Sequence, residues 1–118
     1  MLNIGSGSQV FLVAGSTDMR KSFDTLATVV RTVIDADPFS GQLFVFCNRR
    51  RDRLKALIWE PSGFWLLAKR LEKGTFSWPD ASETRVEYSS AQLAALLEGL
   101  ELSGRRRKRF KGLKKVAK

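Results

Sequence analysis

Histidine is absent from this chain, and cysteine occurs once, at Cys47. The first absence removes the commonest general base and the commonest metal ligand. With one thiol and no imidazole, a zinc site has no ligand set. A lone cysteine cannot form an intrachain disulfide, which points to the reducing interior of a cell. No apolar run approaches the ~20 residues of a membrane span. The opening MLNIGSGSQV lacks a basic stretch followed by an apolar one, so no signal peptide is expected and the location is read as cytoplasmic. The short GSGS run precedes a strand, which is the wrong context for a phosphate-binding loop. The serines have no histidine partner. Metal-assisted phosphoryl transfer needs clustered carboxylates. Asp18, Asp24, Asp35, Asp37, Asp52 and Glu60 are scattered, and each has an ordinary explanation as cap, turn or surface charge. The expectation is a protein that is not an enzyme and uses no cofactor or metal.

Acidic residues are also missing from the C-terminal end. Nine of the 21 Lys and Arg residues fall in 105–118, which holds no acid. The other 104 residues carry twelve bases against twelve acids, so the whole net charge of +9 belongs to this tail. The tail has few apolar residues, cannot build a core, and is expected to be disordered. A neutral body with a basic tail suits contact with nucleic acid or an acidic partner. The body, 1–104, is long enough for one core, and the 43% hydrophobic content of the whole chain fits a single globular domain.

What is there is organised around residues 43–71, LFVFCNRRRDRLKALIWEPSGFWLLAKRL. Strands are expected at 43–48, 53–60 and 64–71, rich in β-branched, aromatic and leucine residues and bounded by turns. Arg49 to Asp52 makes the first connection. Pro61, Ser62 and Gly63 suit a three-residue loop with a glycine bulge. That loop sets Glu60 opposite Phe64, Ile58 opposite Leu66 and Ala56 opposite Ala68, while Cys47 falls beside Leu54. One face is then aliphatic: Leu43, Val45, Cys47, Leu54, Ala56, Ile58, Leu66 and Ala68. The other mixes Phe44, Phe46, Trp59 and Trp65 with Lys55, Leu57, Leu67 and Lys69. A one-residue slip would exchange these sets.

A strand at 9–14 precedes this meander. Ser16, Thr17 and Asp18 offer caps for a helix beginning near Met19. Met19, Phe23, Leu26, Val30, Val33 and Ile34 form its apolar stripe, and Asp35 to Pro38 stops it. Phe23, Leu26 and Val30 are expected to pack on Val45, Ile58 and Leu66. Residues 75–78 read as a short fourth strand and 85–88 as an edge strand. Ser89 or Ser90 caps a second helix with Leu93, Leu96, Leu97 and Leu100 as its stripe. The predicted architecture is α+β: an antiparallel meander sheet packed by one long helix, plus a short C-terminal helix and the basic tail.

Arg49, Arg50, Arg51 and Arg53 form a compact cation at a hairpin tip. This is either a solvated turn that discourages edge pairing or a phosphate clamp. In the tail, Arg105, Arg106, Arg107, Lys108, Arg109, Lys111, Lys114 and Lys115 are the candidate phosphate contacts. The aromatic sheet face is open to three readings: a base-stacking platform, a second core layer under the C-terminal helix, or a protein-docking surface.

The runs VFLVAGSTDMRKSFDTLATVV, DPFSGQLFVFCNRRRDRLKALIWEPSGFWLLAKRLEKGTFSWP and SSAQLAALLEGLEL resemble the TnpB accessory proteins of insertion-sequence-66-type transposable elements. TDMRKSFD, DPFSGQLFVF and AQLAALLEG carry most of that likeness, although the family commonly has glycine where Ser22 stands. The resemblance spans roughly residues 10–102 and leaves the basic tail outside it. It implies a non-catalytic role in DNA transposition beside a separate transposase, with the element's DNA ends and that transposase as expected partners. An adaptor that assembles the transposase without touching DNA is the alternative. The RNA-guided nucleases that share the TnpB name are far longer and carry a carboxylate constellation that is missing here.

Overall fold

The computed structural model describes residues 9–80 and 85–98, with the side chain of Arg85 left aside. The elements are β1 (Val10–Val13), α1 (Phe23–Thr32), β2 (Leu43–Cys47), β3 (Arg53–Glu60), β4 (Gly63–Arg70), β5 (Arg85–Tyr88) and α2 (Ser90–Leu97). They build one five-stranded sheet in the order β4-β3-β2-β1-β5. The fold is α+β, as expected, but the sheet is mixed rather than an antiparallel meander. β1 runs parallel to β2, with Val10 beside Leu43 and Leu12 beside Val45. The cause is α1, which carries the chain back to the end of the sheet where β1 began. The edge pairing expected at 85–88 is present: β5 lies antiparallel to β1.

β2 is central, and all five of its residues are buried. A strand covered on both faces reads as a continuous apolar run, which LFVFC is. Val10, Leu12, Leu43, Val45, Cys47, Leu54, Ala56 and Ile58 form one core layer, closed by Leu93 and Leu96 of α2. Phe11, Val13, Phe44, Phe46 and Leu57 form the other, closed by Leu26, Ala27 and Val30 of α1 with Ile34 just beyond it. α1 therefore packs on the aromatic face, not on the aliphatic face that the sequence suggested. The aromatic face is indeed a core layer, but under α1 rather than α2. The small stripe of Ala27 and Val30 leaves room for two phenylalanines beneath it, and Phe44 and Phe46 are both fully hidden.

Residues 75–78 are not a fourth strand. They run irregularly across the end of the aliphatic layer and plug it with Phe76 and Trp78. The Trp78 indole Nε1 donates to the Val13 carbonyl at 3.1 Å, and the Phe76 N–H donates to the Arg51 carbonyl at 2.6 Å. These bonds satisfy polar groups that an irregular buried segment would otherwise strand.

α1 is shorter than expected at its start. Ser22, at φ −129°, is the extended residue before the helix. Its N–H donates to Thr25 Oγ1 at 2.8 Å. Asp18 instead turns the preceding segment by accepting from the Arg20 N–H at 2.9 Å. Phe23 thus sits on the first turn and is 43% exposed, whereas Leu26 and Val30 are fully buried. Of the three expected core residues, Phe23 is the one that is not. The helix stops where expected: Asp35 takes φ 53°, and the Ala36 N–H donates back to the Val30 carbonyl.

The β2–β3 register is the one expected, with Cys47 beside Leu54. The β3–β4 register is slipped by one residue. Pro61 and Ser62 alone form the loop, and Glu60 pairs with Gly63, Leu57 with Leu66 and Ile58 with Trp65. The glycines with positive φ are Gly15, Gly41 and Gly74, so Gly63 does not supply the left-handed residue of a glycine bulge. Leu66 and Ala68 consequently leave the aliphatic face and join Leu57 under α1. Trp65, Leu67 and Lys69 move to the side of α2.

Candidate nucleic-acid interface

The hairpin tip that joins β2 to β3 is fixed by Asn48. Its Oδ1 accepts the N–H groups of Asp52 and Arg53, both at 3.0 Å, while its Nδ2 donates to Asp52 Oδ1 at 2.7 Å. Arg51 adopts φ 66°, the left-handed region, to close the turn. Its guanidinium Nη1 donates to the Trp78 carbonyl at 2.8 Å, and its own carbonyl accepts from Phe76. Arg51 therefore locks the 75–79 segment to the hairpin and is half-buried. The four cations expected at this tip divide into one structural tether and three exposed groups, Arg49, Arg50 and Arg53.

Arg53 opens β3, and the slipped register sets Arg70 of β4 directly across from it. The two lie on one face beside Lys55. Together with Met19, Leu54, Ala68 and Lys69 they line a depression of about 380 Å³ at the open end of the β3–β4 hairpin. No acid lines it. Lys55 Nζ donates to the Lys21 carbonyl at 2.8 Å, and Lys69 Nζ to the Leu97 carbonyl at 3.0 Å. Each ammonium is held by a neutral acceptor, that of Lys55 at the depression and that of Lys69 on the side of α2. Glu72 meets Arg70 from the rim, with Oε2 at 3.0 Å from Nη2. This exposed pair is screened and offsets Arg70 only in part. The result is a concave, cationic surface suited to a phosphate-bearing ligand.

Sequence reasoning reached Arg53 but missed Lys55 and Arg70. The signal was there in the β3–β4 register, because pairing Glu60 with Gly63 brings Arg53 to Arg70. Arg105, Arg106, Arg107, Lys108, Arg109, Lys111, Lys114 and Lys115 lie outside the described residues.

The carboxylates are engaged locally. Arg20 clamps Asp18, with Nη2 at 2.6 Å from Oδ2. That hydrogen bond, helped by the Arg20 backbone N–H, holds the Asp18 carboxyl down to about 2. Asp37 Oδ1 accepts the Phe39 N–H at 2.9 Å, and Asp52 is tied to Asn48. Among the described residues no group of three or more His, Cys, Asp or Glu side chains could hold a metal ion. Burial pushes the Cys47 thiol up to about 12, which leaves almost no reactive thiolate at neutral pH. Among the described residues no helix is long and apolar enough to cross a membrane.

The aromatics expected to share one face are separated. Phe44 and Phe46 are core. Trp59 is half-buried against Phe39 and Phe64, with ring centroids 4.9 and 5.0 Å away. Trp65, on the side of α2, is 47% exposed.

The model of the IS66 Orf2-like protein family (TnpB_IS66) matches residues 8–113. The chain belongs to this family. The match reaches well into the basic tail, so most of the tail lies inside the shared region rather than beyond it. Two proteins of Sinorhizobium fredii (strain NBRC 101917 / NGR234) are similar. The uncharacterized protein y4hO is 40% identical over 101 residues, covering 86% of this chain and 88% of its own. The uncharacterized protein y4jC is 32% identical over 117 residues, covering 99% and 100%. No solved structure matches. Family membership ties the chain to insertion elements of the IS66 type and to transposition.

Proposed function

We propose that this IS66 Orf2-like protein is a non-catalytic accessory factor for transposition that grips the DNA of its element. The observation that carries the reading is the placement of charge. Arg53, Lys55 and Arg70 share one face at an acid-free depression, with Arg49 and Arg50 exposed on the adjoining turn. Nine further bases without an acid follow in 105–118. Cations collected this way bind phosphates without reading bases, and positioning contacts of this kind make up the larger share of protein–DNA hydrogen bonds.

Most of the affinity is assigned to the tail and a smaller share to the depression. Binding should be weakly sequence-specific and strongly salt-dependent, with log K falling by about 0.9 per neutralised phosphate per decade of salt on duplex DNA. The test is a salt titration against the element's terminal repeat and a scrambled duplex. It compares the full chain, a chain ending at Gly104, and Arg53→Gln/Arg70→Gln. The cut lies beyond every described element, so the fold should survive it. The truncated chain should lose most of its affinity and the double variant a lesser part, each with a shallower salt slope. Full affinity in both would refute the assignment.

Trp65, exposed on an otherwise charge-balanced body, favours a second reading, an adaptor that docks on the transposase. Capture of the transposase that survives nuclease treatment and is lost in Trp65→Ala would favour the adaptor. Capture abolished by nuclease would favour a DNA bridge.

A further inference from the structure

β4 borders the sheet, and β3 is the only strand beside it among the described residues. Which of its backbone groups face outward follows from both ends of the hairpin. Glu60 and Gly63 close a two-residue loop, which makes them a hydrogen-bonded pair. Beyond the far end, the Leu71 N–H donates to the Asp52 carbonyl at 2.8 Å. Hydrogen-bonded and non-bonded pairs alternate along an antiparallel ladder. Odd-numbered residues of β4 therefore bond to β3. The N–H and C=O groups of Phe64, Leu66, Ala68 and Arg70 point away from the sheet.

Border strands are normally blunted by shortness, proline, bulges or inward charges. β4 has eight residues, GFWLLAKR, with no proline. It pairs with β3 without a break. Trp65 and Leu67, 47% and 37% exposed, form an apolar patch on its α2 side. Its two charges, Lys69 and Arg70, both stand at one end.

We propose that β4 pairs antiparallel with β4 of a second copy of this chain, about a two-fold axis through Leu67, to make one sheet continuous across both copies. The alternation fixes the register, because outward groups must meet outward groups. All four outward residues find partners only when Phe64 meets Arg70 of the second copy and Leu66 meets its Ala68. That arrangement puts Leu67 against Leu67 on the axis and Trp65 against Lys69 of the second copy. Charge favours the same solution. Each cationic end lies across from an aromatic end, where guanidinium and ammonium groups pack well on rings. Lys69 keeps its bond to the Leu97 carbonyl and offers its methylene stem. Parallel pairing would instead set Lys69 and Arg70 against their own copies. A two-fold axis perpendicular to the sheet keeps faces together, so the two Trp65–Leu67 patches merge and both basic depressions open on one side.

Sedimentation velocity on the full chain over a concentration series is the test, at high ionic strength so that charge contacts with carried-over nucleic acid are screened. The expected species has twice the 13.3 kDa chain mass. Leu67→Lys and Leu67→Glu should each raise the dimer dissociation constant by roughly tenfold or more, since each sets like charges face to face. Their equimolar mixture should recover the dimer. Ala68→Pro removes an outward N–H, leaves the β3 ladder untouched, and should also be monomeric; circular dichroism shows that each variant is folded. A chain monomeric at every concentration overturns the proposal. So does a dimer that persists in a folded Ala68→Pro, or a charge-swapped mixture no stronger than its components. If residues 99–118 or an unrelated partner cover the patch instead, the first of these results appears.

Discussion

Replacing Gly63 with alanine should stabilise the fold, and the sign of the effect tests the β3–β4 register. In the observed hairpin Gly63 is the first strand residue, without a positive φ, and a methyl group built on it meets nothing within 4 Å. Alanine there removes freedom from the unfolded chain and loses no contact, an effect of about 0.4–1 kcal/mol in favour of folding. A glycine-bulge loop would need residue 63 in the left-handed region. There alanine costs about 1–2 kcal/mol. The two registers thus predict opposite signs, separated by at least ~1.4 kcal/mol, the sum of those lower limits. Equilibrium urea unfolding resolves this. With a slope of about 1–3 kcal/mol per molar for a small domain, the midpoint should rise by a few tenths molar. A midpoint that falls would refute the observed pairing, and with it the juxtaposition of Arg53 with Arg70 and the choice of outward groups on β4.

The remaining expectations concern packing and charge. Phe46→Ala, beneath α1 and fully buried, should cost about 3–5 kcal/mol. Phe23→Ala, at a site 43% exposed with no cavity to leave, should cost about 1–2 kcal/mol; equal losses in urea unfolding would mean that α1 is turned the other way. Arg51→Ala strands the Trp78 carbonyl and should cost about 1–3 kcal/mol, whereas Arg49→Ala should stay within about 0.5 kcal/mol; a silent Arg51→Ala would show that the 75–79 segment does not depend on this tether. Asp18 is held below its ordinary 3.8, at about 2, so its contribution to stability is present above pH 3.8 and fades as pH falls toward 2. Thermal midpoints should drop less over that window in Asp18→Asn than in the unaltered chain, and parallel curves would count against the Arg20 clamp.

Much of the fold was legible because local signals agreed with the tertiary structure. LFVFC reads as a strand and is one, and Ser89 caps α2, whose Leu93 and Leu96 are core. The Asn48–Arg53 turn fixed the β2–β3 register because a four-residue loop left no other pairing for Cys47. Where local chemistry allowed two answers, the sequence reading took the wrong one. Pro61-Ser62-Gly63 serves a two-residue loop as well as a three-residue one, and the choice rests on one backbone angle. Which face received α1 is a property of the β1–α1–β2 crossover, and stripe periodicity carries no information about it. Trp78 and Phe76 alternate like a strand, but their bonds run to Val13 and Arg51, 65 and roughly 25 residues away in the chain, beyond the reach of any local pattern.

The Arg53–Arg70 pair gives the strongest physical ground for treating the open end of the β3–β4 hairpin as a working surface. Like charges directly opposite on neighbouring strands destabilise a sheet, and opposite charges or β-branched residues there would stabilise it. Folding alone therefore favours another residue at one of these two positions. Glu72 relieves Arg70 only across an exposed contact, with 59% and 66% of the two side chains in water. Lys55, which completes the depression, is steadied by a carbonyl oxygen rather than by a carboxylate. An anionic ligand would remove that repulsion on binding, which is the physical basis for proposing phosphate contacts at this end of the hairpin.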